Sequence, residues 1–265
     1  MALFGGTRLV GALALAFPLL QGGALAQESE EAWAVIRPQL FGERVIEDGA
    51  PVVELVAPKR ADDAALVPVD LHVRRRDGAP AVKAVTLVID ENPAPLAATF
   101  TFGEEPRSFY LSTRVRVNSY SFVRAIAETA DGKLHMVKSY VKAAGGCSAP
   151  ASKDMAEAKA HLGQIRFRVF SGRGSGEAQV QIRHPNYSGL QMDQITRLYT
   201  PAWFVETVTV SRGGRPLFRM DGGISISEDP TFRFSYEPSG EPITVEAQDT
   251  EKQVFRAAFP GGPPA

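Results

Sequence analysis

The chain has 265 residues, 44% hydrophobic and 22% charged, with 29 basic against 30 acidic side chains and a net charge of −1. That balance excludes a collagenous, coiled-coil or mainly disordered protein and gives no general attraction for phosphate backbones, so no nucleic-acid partner is expected. The 24 glycines and 19 prolines are scattered as punctuation, which favours many short strands over long helices.

Residues 1–26 read as a targeting segment. Arg8 supplies a positive start, residues 9–20 form an apolar run shorter than the ~20 residues a membrane span needs, and Ala24-Leu25-Ala26 is a small-x-small cleavage signal. No Arg-Arg pair precedes the apolar run, so the signal is of Sec type. The expectation is a periplasmic chain cut after Ala26, with no membrane association after cleavage and no cofactor.

A helix is expected over residues 29–40, with Ser29 as N-cap and Trp33, Ile36 and Leu40 on one face. Seven β-type runs follow at 52–56, 66–73, 82–89, 97–102, 109–117, 120–127 and 134–141. Turn signals separate them: Asp77-Gly78, Asn92-Pro93 and Asp131-Gly132, the last read as a two-residue hairpin loop. Seven short strands in about 100 residues suggest a sandwich.

The stretch 143–151 is small and glycine-rich, and 152–160 has helix formers behind Ser152, predicting a short linker helix. A second strand series occupies 164–169, 178–182, 204–210, 216–220, 231–236, 243–247 and 254–259. Strict alternation puts Phe232, Phe234 and Tyr236 on one face, as core; Gly213-Gly214 is a tight hairpin, residues 172–176 a turn, and 260–265 a loose tail. The predicted fold class is all-β, two β-sandwich domains with a short N-terminal helix and a short linker helix. The predicted divisions are 1–26, 27–144, 145–163 and 164–265.

Cys147 is the one cysteine, so the chain cannot close an internal disulfide even though an exported protein meets an oxidising compartment. Its neighbours, Gly145, Gly146, Ser148, Ala149 and Pro150, carry little apolar bulk, so the thiol is read as exposed. Lys142, Lys153 and the helix start at Ser152 either raise its thiolate fraction or are solvated charges. His72, His135, His161 and His184 lack metal-ligand spacing, so no metal is expected. Asn186-Tyr187-Ser188 matches a glycosylation sequon by chance, and no paired carboxylates or nucleophile–base arrangement supports catalysis.

Residues 85–98 (VTLVIDENPAPLAA), 112–127 (STRVRVNSYSFVRAIA), 128–134 (ETADGKL) and 141–147 (VKAAGGC) resemble the sulfur-carrier protein family SoxY. Ile182-Arg183-His184-Pro185, 204–210, Pro216-Leu217-Phe218 and 222–230 are similar to its partner family SoxZ. The whole resembles the fused, quinoprotein dehydrogenase-associated SoxYZ-like carriers. That resemblance implies two immunoglobulin-like sandwiches packed on each other, with Cys147 holding a sulfur-containing intermediate for partner enzymes. It further implies that Gly145, Gly146 and Ser148 give the carrier loop its flexibility and makes His184 a candidate accessory residue. The implied partners are Sox-type or cytochrome/quinoprotein dehydrogenase enzymes, acting on a protein that is itself no enzyme.

One departure stands out. SoxY ends at its cysteine, whereas this chain continues through Ser148-Ala149-Pro150, so the thiol must enter a partner site as a hairpin. The competing readings are a non-covalent assembly module for a quinoprotein dehydrogenase or its cytochrome, with the cysteine incidental, and a thiol enzyme pairing Cys147 with a histidine. The carrier reading requires that the sulfur have a route to solvent.

Overall fold

The structure is a computed structural model that describes residues 30–74, 78–103, 108–150, 152, 155–170, 176–193 and 196–261. The targeting segment, Ser29, Asp77, Lys153 and residues 172–175 lie outside the described residues.

Helix α1 (Glu31–Phe41) precedes strands β1 (Ile46–Asp48), β2 (Val53–Val56), β3 (Val67–Val73), β4 (Val82–Ile89), β5 (Leu96–Phe102), β6 (Phe109–Val115), β7 (Ser121–Thr129) and β8 (Leu134–Val141). After α2 (Met155–Ala160) come β9 (Ile165–Phe170), β10 (Gly176–Ile182), β11 (Val205–Arg212), β12 (Arg215–Gly222), β13 (Thr231–Tyr236), β14 (Ile243–Asp249) and β15 (Val254–Phe259). Every predicted strand run is present and the fold class is all-β sandwich. Strand β1 is the addition: it pairs in parallel with β8, and its sequence Ile-Glu-Asp has no strand signature to read.

The strands form two sheets, in the orders β1-β8-β7-β4-β5-β12-β11-β14-β15 and β2-β3-β6-β13-β10-β9. Both sheets run through both halves of the chain. The two sandwiches are therefore more than packed on each other: the halves are joined strand to strand. Antiparallel pairing of β5 with β12 sets Phe102 against Phe218 and Phe100 against Met220, while β6 pairs with β13 at Leu111–Phe234 and Ser112–Arg233. The physical reason is that each half alone would add two open strand edges at the seam, which pairing satisfies.

The core is correspondingly continuous across the seam. Alternation in β3, β6, β10 and β13 sends every second side chain inward, including Phe232, Phe234 and Tyr236 as predicted. Phe218 has ring neighbours Phe109, Phe232 and Phe234 at centroid distances of 6.2, 6.0 and 5.3 Å. Gly103 lets β5 approach so closely that a Cβ there would lie 1.8 Å from the Pro216 carbonyl oxygen.

Strand β7 is buried on both faces because α1 covers its outer side, where Trp33 and Ile36 pack on Val88, Ile126 and Leu134. Leu40, expected on the same helix face, is instead exposed, and Glu30 occupies the N-cap position. Under the helix the fully buried Arg124 binds Asp90 with both Nε and Nη2, reaches Glu30 at 2.6 Å and lies 4.5 Å from the Trp33 ring centroid. Two turns also resolve. Gly213 and Gly214 both adopt positive φ, as a two-residue hairpin loop requires. The β7–β8 loop has three residues rather than two, with the Thr129 amide donating to Lys133 O and Gly132 at φ 81°.

Candidate functional site

The chain leaves β8 through Lys142, bridged to Arg60, and then crosses to the junction of the two halves. Gly145 donates its amide to Asn118 O at 2.8 Å, Gly146 donates to Val117 O at 3.0 Å, and Ser148 closes the turn by donating to Gly145 O at 3.2 Å. Gly145 has φ +82°, a conformation that glycine adopts without penalty. Gly146 serves close approach: a Cβ on it would fall 2.0 Å from Ala64 O. The three residues expected to confer flexibility thus build a hydrogen-bonded turn, Gly146 buried and Gly145 and Ser148 exposed.

Cys147 is fully buried, at 0% exposure, which corrects the reading of an exposed thiol. Small flanking residues do not bury a side chain by themselves, but they let the loop sink against a surface supplied from elsewhere. That surface comes from the second half, where Ser188 Oγ donates to the Cys147 carbonyl oxygen. Burial pushes the Cys147 thiol up to about 11, with the nearby Arg116 charge acting in the opposite sense. With the loop closed, the thiol therefore stays protonated at neutral pH.

Arg116 is the cation that sequence reasoning missed. It sits just past β6, 1% exposed, donating Nη1 to Gly146 O at 3.1 Å and Nη2 to Asn186 O at 3.3 Å. One guanidinium therefore ties the cysteine turn to the second half. Its backbone is fixed by Asn92, whose Nδ2 donates to Arg116 O and to Ser225 Oγ, while Asn92 Oδ1 accepts from the Asn118 amide. Asn92 signals only a turn in the sequence; here it is a buried strut between both halves. Of the cations weighed from the sequence, Lys142 is exposed, and Ser152, read as a helix cap, is held by Glu228.

His184 belongs to the interior of the second half. Its ring lies 4.9 Å from that of Trp203, Nε2 stands 3.5 Å from Asp249 Oδ2, and Nδ1 accepts from the Asn186 amide. Burial holds its pKa below the usual histidine value, against the pull of the Asp249 and Asp229 carboxylates. Its side chain supports the 184–188 segment that meets the cysteine turn. Asn186, the sequon residue, is fully buried at φ 43°, with Oδ1 accepting from the Val205 amide. The other histidines stand apart: His72 against Tyr110, His135 beside Glu47 and His161 beside Gln164. Among the described residues no group of three His, Cys, Asp or Glu could hold a metal, and no helix is long and apolar enough to cross a membrane.

The site is thus a single thiol on a turn wedged between two strand-paired halves. Comparison with protein families divides the chain into the same two halves. The model for sulfur oxidation protein SoxY matches residues 37–147, ending on Cys147, and that for sulphur oxidation protein SoxZ matches residues 171–260. The chain belongs to the SoxY and SoxZ families of sulfur-oxidation carrier proteins, as a SoxYZ-type fusion. A search of curated proteins finds no match.

Proposed function

We propose that this chain is a periplasmic covalent carrier that holds a sulfur-containing intermediate on Cys147 and presents it to partner enzymes. The observation that supports it is the placement of Cys147: it ends the SoxY-matching segment on a Gly-Gly turn that accepts hydrogen bonds from both halves. Because the resting thiol is buried, loading requires the turn to open. The hydrogen bonds that must break are the Ser188 and Arg116 donations and those that the Gly145 and Gly146 amides donate to Asn118 O and Val117 O, all on one short turn, so local opening leaves the sheets intact. The thiol catalyses nothing alone; Sox-type enzymes, or a cytochrome or quinoprotein dehydrogenase system, load and unload it. The N-terminal 26 residues serve as the export signal.

Burial of Cys147 specifically favours the second reading, a non-covalent assembly module in which the thiol is a packing residue. Two measurements separate them. Intact-mass analysis of protein isolated from the native periplasm during sulfur-compound turnover is expected to show a mass added at Cys147, and Cys147→Ser is expected to abolish biological activity. A permanently bare cysteine together with a fully active serine variant would leave only the assembly role.

A further inference from the structure

A buried guanidinium normally faces a carboxylate, because removing a charge from water is costly unless an opposite charge and hydrogen bonds compensate. Arg124 follows that rule through Asp90. Arg116 does not. It is 1% exposed, its contacts are two neutral carbonyl oxygens, and its Nε is buried with no partner. Among the described residues no carboxylate forms an ion pair with it; Glu228, Asp63 and the Cys147 sulfur are the groups within its electrostatic reach. Glu228 is engaged by Ser152, and Asp63 is exposed and accepts from the Ala65 amide. A buried positive charge with no ion-pair partner among the described residues thus lies within electrostatic reach of the only thiol in the chain.

We propose that Arg116 is the anion-selecting and positioning residue of the Cys147 site. With the turn closed, it latches the bare thiol by holding Gly146 O. When the turn opens, Nη1 is released from Gly146 O and its donor faces the vacated seat, while Nη2 stays on Asn186 O. A cationic donor there favours a negatively charged group, whether the thiolate of Cys147 or an anionic group on what approaches it. Burial alone depresses the affinity of Arg116 for its proton, a tendency that any anion in the seat relieves. This inference rests on Cys147 being the reacting thiol, but not on what it carries in the cell.

The test uses the full chain and two aromatic disulfides of similar size, the doubly negative dithiobisnitrobenzoate and the uncharged dithiodipyridine. In each reaction the Cys147 thiolate attacks one reagent sulfur, the reagent S–S bond breaks, and the other half leaves with the electron pair, as the coloured thionitrobenzoate thiolate or as a pyridinethiolate that takes a proton from water to give the absorbing thione. The ratio of the two rates is compared in the wild type, Arg116→Lys and Arg116→Met. Loss of a purely structural latch speeds both reagents alike and leaves the ratio unchanged. The expected result is a ratio lowered at least fivefold in Arg116→Met, held within twofold of wild type in Arg116→Lys, and accompanied by a higher apparent thiol pKa in the methionine variant; roughly this size follows from removing one charge at short range. A smaller change in the ratio overturns the proposal. Should Arg116→Met not fold, the wild-type ratio itself decides: it must fall as salt rises, and a salt-independent ratio overturns the proposal equally. Neither result bears on whether a mass is found on Cys147 in the periplasm, so the two readings fail separately.

Discussion

Cys147 is kept protonated by its surroundings. The rise of its pKa from an ordinary 9.0 to about 11 means that burial penalises the thiolate by about 3 kcal/mol relative to water. A proton held more tightly in the closed state favours that state fully below the ordinary thiol pKa, and the advantage is lost as pH rises through the closed-state value. Opening of the turn is therefore expected to increase between about pH 9 and pH 11. The check is iodoacetamide labelling of the native protein. Labelling should be slow near neutrality, still climbing at about pH 10, and much faster in denaturant, where a free thiol levels off above its ordinary pKa. A plateau near the ordinary pKa would show that the sulfur is freely accessible. The sequence made this residue legible as the one that matters but misjudged its exposure, because exposure depends on Arg116, Asn186 and Ser188, which are separated from it by tens of residues.

At the scale of the element, the turn from Ala143 to Ser148 is a strap whose tightness depends on fit. Replacing Gly146 with alanine drives a Cβ into the Ala64 carbonyl, a backbone atom that cannot swing aside. Gly146→Ala is expected to label at least tenfold faster at Cys147 while the main unfolding transition stays in place, since the clash lies outside the sheets. Ser188→Ala removes one donor to the Cys147 carbonyl oxygen, worth about 0.5–1.5 kcal/mol, and should speed labelling by roughly two- to tenfold. Both effects are read by the same alkylation assay, and equal rates in the wild type and both variants would mean that the strap does not control access. Gly-Gly before a cysteine is visible in the sequence; that one glycine sets a positive φ and the other a close approach is decided by Val117, Asn118 and Ala64.

On the scale of the whole molecule, two continuous sheets and a shared core predict that the halves unfold as one cooperative body. Phe218 is the natural probe, since it is fully buried and packs against Phe109 of the first half and Phe232 and Phe234 of the second. Phe218→Ala should cost about 3–5 kcal/mol and lower the midpoint of a single unfolding transition in calorimetry. Independent halves would instead show two transitions, only one of them displaced. Joining the halves in one chain suits this seam, because tethering raises their effective concentration into the millimolar range and spares β5, β6, β12 and β13 from exposing open edges.

Alternating apolar residues, turn glycines and prolines determined the strands, because side-chain periodicity and local backbone preference act within a few residues. The same local information singled out Cys147 and the Gly145-Gly146 pair. Tertiary structure alone decided that the two sandwiches share their sheets, that the thiol is closed, and that a buried arginine lies beside its turn. Those features arise where segments remote in sequence meet, and burial, electrostatic balance and hydrogen-bond satisfaction are properties of that meeting rather than of any one segment.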